Sequence, residues 1–198
     1  GMDELIDGEI IVNGKSMNFR SNQDAIRQGI SLVPEDRRRE GIIPNRSIKE
    51  NISLANLKLI SKINVLQKKF EIKTVNNTCS ALKVKSPSIE NLVSSLSGGN
   101  QQKVVLGKWL LTNPKILLLD DPTRGIDVGA KNEIYHLINR LALQGVSIIL
   151  VSSEISELIG MCKRIYVMYH GTIAGLLEGS KISQENIMTF ATGGKING

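Results

Sequence analysis

The sequence predicts an α/β fold, with a mostly parallel sheet, an antiparallel N-terminal hairpin and a helical subdomain. Three observations carry this. The apolar runs Ile116–Leu119, Val146–Val151 and Ile165–Met168 are short, unbroken and bounded by turn residues, as strands buried on both faces should be. A helical pattern over Val128–Leu143 separates the first two, which is the alternation of a parallel sheet. Residues 45–112, in contrast, look helical.

Taken in order, Glu9–Phe19 reads as two short strands around an Asn13-Gly14 type I′ turn. Ser21 is placed to cap a helix over Asn22–Gln28 that stops at Gly29, and Ile30–Val33 is a brief strand closed by Pro34. Ser47-Ile48-Lys49-Glu50 is a capping-box pattern that opens a helix through about Leu57. A second helix is expected from about Val65, with Leu66, Phe70, Cys79 and Leu82 near one face. An amphipathic helix follows Ser97-Gly98-Gly99. In Val128–Leu143 the residues Ile134, Leu137, Ile138 and Leu141 keep helical spacing up to Gly145. Tyr169–Thr172 is a turn into one more strand, a last helix covers Gln184–Ala191, and Gly193–Gly198 should fray. The division expected is 1–44 for the hairpin and the segment after it, 45–112 for the helical part, and 113–198 for the rest of the sheet.

Composition narrows the classes. A chain of 198 residues with 41% hydrophobic content can bury a real core in one domain, or in a large domain with a smaller lobe. No apolar run approaches the roughly 20 residues of a membrane span, and no signal-peptide pattern opens the sequence. Cys79 and Cys162 have no partner motif and read as two buried thiols. The net charge of +6 permits a phosphate-rich ligand, a nucleic acid or an anionic membrane, but an aromatic content of 4% lacks the stacking platform of a single-strand binder. His136 and His170 have no partner at metal or nucleophile spacing and are expected at the surface or in packing roles. Trp109 is expected in the core, and Arg37, Arg38 and Arg39, which could meet nucleic acid, read better as a solvated loop or as a contact with a partner subunit.

Two segments carry chemistry. Ser97-Gly98-Gly99-Asn100-Gln101-Gln102 stands directly before a helix, whose start offers unpaired N–H donors and a partial positive charge, while glycines admit a phosphate without Cβ clashes. Alone, the same residues also suit a plain loop and cap. Ile116–Leu119 is a buried strand ending in Asp120 and Asp121, and in open α/β sheets ligands sit at the carboxyl ends of strands. Asp120 could hold Mg²⁺ there, or it could simply cap a turn.

In combination these segments resemble the ATP-binding-cassette (ABC) family, whose signature is Leu-Ser-Gly-Gly-Gln and whose Walker B strand ends in Asp-Glu-Pro-Thr. The match is closer to the second ATPase half of tandem subunits of ribose, galactose and xylose importers. Those halves carry a similar Ser-Gly-Gly-Asn-Gln-Gln-Lys, together with stretches like Thr123–Lys131 and Val33–Arg37. The resemblance runs essentially end to end. It implies a P-loop NTPase-like ABC ATPase core using ATP and Mg²⁺. In that frame Ser97, Gly98, Gly99, Asn100 and Gln101 contact the γ-phosphate of ATP held by a second ABC ATPase domain, with the helix beginning at Asn100. Asp120 is the magnesium-associated residue, Asp127 lies in the loop crossing the dimer interface, and Glu35 senses magnesium and the permease. Asp36–Glu40 and the segment after it face integral-membrane permease subunits, with a solute-binding protein beyond them, and place the chain peripherally on the cytoplasmic face of the plasma membrane. A non-transport relative acting on nucleic acid or ribosomes is the alternative, which the Thr123–Lys131 stretch disfavours, so no nucleic-acid partner is expected.

The departures from the family matter as much. Asp121 stands where the catalytic base is Glu, which sets its carboxylate roughly 1.5 Å back, and about 1 Å can already cost a hundredfold. Ser153 stands where a switch histidine is expected, and a hydroxyl lacks the imidazole's reach and two nitrogens. Glu35 replaces a glutamine. No Gly-x-x-x-x-Gly-Lys-Ser/Thr stretch occurs in the sequence, so none of these residues can wrap α- and β-phosphates. The expectation is a domain cut after its P-loop and inactive by itself.

Overall fold

The computed structural model describes residues 3, 5–63 and 65–195. They form two compact units, Gly1–Ile149 and Leu150–Gly198.

In the first unit, β1 (Ile10–Val12) and β2 (Lys15–Met17) pair antiparallel around Asn13 and Gly14, whose φ values of 52° and 73° are the left-handed pair that a type I′ turn requires. The Ser21 hydroxyl caps α1 (Asn22–Arg27) by accepting from the Asp24 amide. The chain then enters β3 (Ile30–Val33) and a single π-turn at Arg37–Gly41. Ser47 and Glu50 close a full capping box on α2 (Ile48–Ser53), and hydrogen bonds from the Ser47 backbone and side chain hold the Glu50 carboxyl below its usual range.

The helix predicted through Leu57 breaks earlier, into a 3-10 turn at Leu54–Asn56 and a short α3 (Leu57–Ile60). Asn56 leaves the helical region and donates its amide to the Leu111 carbonyl. The next predicted helix also starts later than Val65. Val65–Leu66 (β5) pairs instead with Ser61–Lys62 (β4), and α4 runs from Lys68 to Ala81. Its inward face is Glu71 and Val75, while Leu66 and Phe70 are exposed. The buried Glu71 carboxylate accepts from the Ser53 hydroxyl at 2.8 Å, which offsets the cost of burying it.

α5 (Gly98–Leu110) is buried at nearly every residue from Gly99 to Lys108, so the amphipathic reading of this helix is corrected. Its polar heads are tied to backbone carbonyls: Gln101 to Val93 and Leu96, Lys103 to Lys83, and Lys108 to Gly41. Burial pushes the Lys108 ammonium below its ordinary pKa. Trp109 is half-buried rather than fully inside, beneath the Lys108 ammonium at 5.1 Å. β6 (Ile116–Asp120) pairs parallel with β3, placing Val33 opposite Leu119. α6 (Val128–Leu143) buries Ile134, Leu137, Ile138 and Leu141 as its spacing dictates. The order of the sheet is β3, β6, then β7 (Ser147–Val151). The expectation of a doubly buried strand fails for β7, where Ile149 is 56% exposed: the face it shares with the exposed Ser147 is left uncovered among the described residues.

In the second unit α7 (Ile155–Met161) precedes β8 (Arg164–Tyr169) and β9 (Thr172–Glu178), which form an antiparallel ribbon, and α8 (Gln184–Ala191) packs on it. β8, expected to be buried on both faces, alternates instead, with Ile165 and Val167 inside and Tyr166 and Met168 outside. Its pairing explains the pattern, because an antiparallel ribbon covered on one face leaves the other to solvent. Ile165, Val167, Leu177 and Ile187 form its core. Gly175 lets the Phe190 ring approach, since a Cβ there would overlap it. Of the C-terminal stretch expected to fray, 196–198 lie outside the described residues. No helix among the described residues is long and apolar enough to cross a membrane.

Candidate functional site

The open end of α5 is the centre of the site. The helix begins at Gly98, two residues before the expected start at Asn100, because Ser97 is the extended N-cap and its carbonyl takes the first helical bond from the Gln101 amide at 2.9 Å. Yet Ser97 does not cap with its side chain. Its Oγ accepts instead from Asn100 Nδ2 at 3.0 Å, which leaves the hydroxyl proton free to donate, while Asn100 Oδ1 accepts from the Lys85 amide. Ser97 is exposed, and the amides of Gly98, Gly99 and Asn100 lack both an intrahelical and a side-chain acceptor. An anion would find three donors, a hydroxyl and the positive end of a 13-residue helix there.

The two glycines do something other than leave room for phosphate. A Cβ on Gly98 would stand 2.7 Å from Arg37 Nη2 and 3.2 Å from the Gly125 carbonyl, and one on Gly99 would overlap the Ala130 Cβ. The space a side chain would fill is already occupied by this chain, so the glycines permit the 121–127 loop and α6 to lie against α5. Gln101, assigned by the resemblance to the phosphate, is also placed differently. Its side chain is buried beneath the 93–97 turn, because two carbonyls there need its amide.

Asp120 ends β6 half-buried, at the carboxyl end of the parallel β3–β6 pair. Asp121 follows with φ 38°, a left-handed conformation that costs a non-glycine residue about 1 kcal/mol and turns the chain sharply off the strand. The turn is closed by the Arg124 amide on the Asp121 carbonyl at 3.0 Å, with Thr123 buried beneath it. Asp127 then caps α6, its carboxylate accepting from the Ala130 amide at 2.9 Å. Glu35 forms an ion pair with Arg124, so it is joined to the same loop. In the second unit, Ser153 is exposed in the turn before α7, and the neighbouring Ser152 hydroxyl hydrogen-bonds the buried Glu157 carboxylate.

Known proteins give this arrangement its context. The family described as ABC transporter matches residues 1–124, well over half of the sequence. The chain belongs to the ABC transporter family. Its fold agrees: a nucleotide-free ATP-binding cassette from an ABC transporter superposes with a TM-score of 0.77 at 19% identity, covering 96% of this chain and 76% of that one. A dimeric bacterial ABC transporter cassette gives 0.72 at 20% identity, over 89% and 75%. Among curated relatives, the Xylose import ATP-binding protein XylG of Moorella thermoacetica is 52% identical over 189 residues, 96% of this chain and 37% of that protein. The Ribose import ATP-binding protein RbsA of a Bacillus cereus strain is 47% identical over 195 residues, 98% of this chain and 40% of that protein. This ABC transporter chain thus spans under half the length of the curated relatives it matches.

Within the ABC transporter fold, the first unit brings together Ser97, Gly98, Gly99, Asp127 and Glu35 around the loop that follows Asp120 and Asp121. The residue that the sequence pattern does not reveal is Arg37. Expected in a solvated loop or at a permease contact, it is half-buried and donates from Nη1 to the Arg124 carbonyl at 2.7 Å and from Nη2 to the Gly125 carbonyl at 3.1 Å. Burial, and then the charge of Arg38, hold its guanidinium below the usual value. Nothing local marks it out from Arg38 and Arg39, because its acceptors lie 87 and 88 residues away. Cys79 and Cys162 are half-buried rather than buried; burial raises both thiols, Cys79 to about 11, and keeps them protonated. His136 and His170 are exposed.

Proposed function

We propose that this chain is the ATP-binding domain of an ABC importer that couples ATP binding and hydrolysis to uptake of a sugar or related solute. The observation that carries the reading is the uncapped start of α5, with three open amides and the exposed Ser97 hydroxyl. It fits the terminal phosphate of a nucleotide presented by a second ATPase domain. Asp120, half-buried at the end of a parallel strand, fits one ligand of the nucleotide's Mg²⁺, and among the described residues it belongs to no cluster of three metal-binding groups. Bound Mg-ATP would supply the phosphoryl group and the cation that offsets its charge. This chain's residues orient and bind: the α5 amides and Ser97 hold phosphate oxygens, and Asp120 fixes the metal side.

Supporting the solute class are the relatives' names, xylose and ribose import ATP-binding proteins. In this reading 45–112 is the helical part that carries the signature turn to the partner domain. The 36–40 segment meets the permease subunits, which a solute-binding protein supplies, and the chain sits peripherally on the cytoplasmic face of the membrane. The chain's own site is degenerate: Asp121 replaces the catalytic Glu, Ser153 the switch histidine and Glu35 the glutamine. Residues 1–198 by themselves do not hydrolyse Mg-ATP, and turnover above background would refute that. In the whole transporter, Ser97→Arg lowers ATP turnover by about a hundredfold or more, whereas Asp121→Asn lowers it by less than about tenfold. The reverse ranking would overturn the assignment.

A further inference from the structure

Beyond lying in the 36–40 segment, Arg37 has no role in the reading above, yet its side chain touches two separate parts of the site, the 121–127 loop and the start of α5. Its backbone is fixed by a π-turn whose N-terminus is capped by Asp36, with Oδ1 accepting from the Arg38 and Arg39 amides at 3.0 and 3.1 Å. The far end of the same turn is fastened to α5. Gly41 lies so close to Val105 that a Cβ would meet its Cγ2 at 2.9 Å, and the Gly41 carbonyl accepts from the buried Lys108 ammonium. From this anchored base the guanidinium crosses to the 121–127 loop and bridges two successive carbonyls, while Nη2 packs over Gly98. Its Nε is buried with no acceptor, so the group is held by fit to the two carbonyls and the glycine rather than by a full set of bonds.

The planar fork matters. Two carbonyls of adjacent residues are met by two separate guanidinium nitrogens, one of which also packs on Gly98, whereas lysine brings a single nitrogen on a flexible stem with no planar fork to hold that spacing. Glu35 reinforces the same loop from the same segment through its ion pair with Arg124.

We infer that Arg37 is a positioning residue that sets the spacing between the 121–127 loop and the phosphate-facing start of α5, by bridging the Arg124 and Gly125 carbonyls while packed on Gly98. The inference rests on the proposed function, since only there does that spacing affect turnover. Removing the fork frees the loop to drift by the fraction of an ångström to which bound geometry is sensitive, without removing any group that binds nucleotide.

The test is steady-state ATPase kinetics of the whole transporter carrying Arg37→Ala, Arg37→Lys, Gly98→Ala and the Arg37→Ala/Gly98→Ala pair. Arg37→Ala lowers kcat by about tenfold or more with KM for ATP within about twofold, and Arg37→Lys gives much the same loss. Gly98→Ala also lowers kcat, because its methyl displaces Nη2; in the Arg37→Ala background that methyl has no guanidinium to displace, so the second loss is much smaller. Should Arg37→Ala fail to fold, Arg37→Lys reads the same split. A kcat within about twofold of wild type, a loss accounted for by KM, full rescue by lysine, or losses that multiply independently would overturn the inference. Ser97→Arg in the same assay separates the two failures. If it leaves turnover intact, the proposed function falls; if it abolishes turnover while Arg37→Ala does not lower kcat, only the role of Arg37 falls.

Discussion

α5 and α6 start beside each other and use their first turns in opposite ways. α6 is capped by its own Asp127, whose carboxylate takes the Ala130 amide. α5 has Ser97, an equally good capping residue, but that hydroxyl is held by Asn100 and the first amides stay open. Along its length α5 is wrapped by protein, while the outward turns of α6 carry exposed polar residues such as Asn132, Glu133 and His136. The same local chemistry thus closes a helix in one place and leaves an open end in another, and the surroundings decide which.

Three measurements break or sharpen that contrast, all read as urea unfolding of the full chain. The largest effect belongs to Gly99→Ala. Alanine favours a helix by about 1 kcal/mol over glycine, but here its methyl would overlap the Ala130 Cβ, and overpacking of this kind costs about 1–3 kcal/mol. The overlap is close enough to call for the top of that range, about 3 kcal/mol, so the net loss expected is about 2 kcal/mol, and adding Ala130→Gly recovers about half of it; a stabilised Gly99→Ala would mean the helices do not touch there. Next come the two caps. Asp127→Ala costs about 1 kcal/mol, whereas Ser97→Ala stays within about 0.5 kcal/mol, because only the first side chain caps its helix. Equal costs would erase the distinction between the two helix starts.

The smallest effect concerns the ion pair that joins the helices, the buried Lys103 ammonium with Glu133. The hydrogen bond from Lys103, then its charge, hold the Glu133 carboxyl below its ordinary value of 4.5. A lowered folded pKa contributes stability above the unfolded value that is lost as the pH falls through the folded one. Glu133→Gln is therefore less stable than wild type at pH 7 by at most about 1 kcal/mol, since Glu133 is 43% exposed and water screens the pair. The gap closes as the pH drops below about 4.5, and a gap that widened on acidification would contradict the pairing.

Features set by neighbours in sequence were legible beforehand. The Asn13-Gly14 turn, the Ser47–Glu50 box, the four inward residues of α6 and the span of α8 each follow from residues within a few positions of one another. Features set across the chain were not. The burial of Lys103 and Lys108 depends on carbonyls at Lys83 and Gly41, the break after Ser53 on the Leu111 carbonyl, and the alternation in β8 on β9. The candidate site divides in the same way: Ser97, Gly98, Gly99 and Asp120 stand out by motif, but Arg37 and the packing use of the two glycines emerge only once distant segments are brought together.

Lys103, Lys108 and Gln101 moor α5 on separate carbonyls along its length. A helix so fastened can neither slide nor roll without abandoning several of those contacts together. Whatever docks on its tip meets a fixed post, and little of the encounter is lost to ordering the receiver.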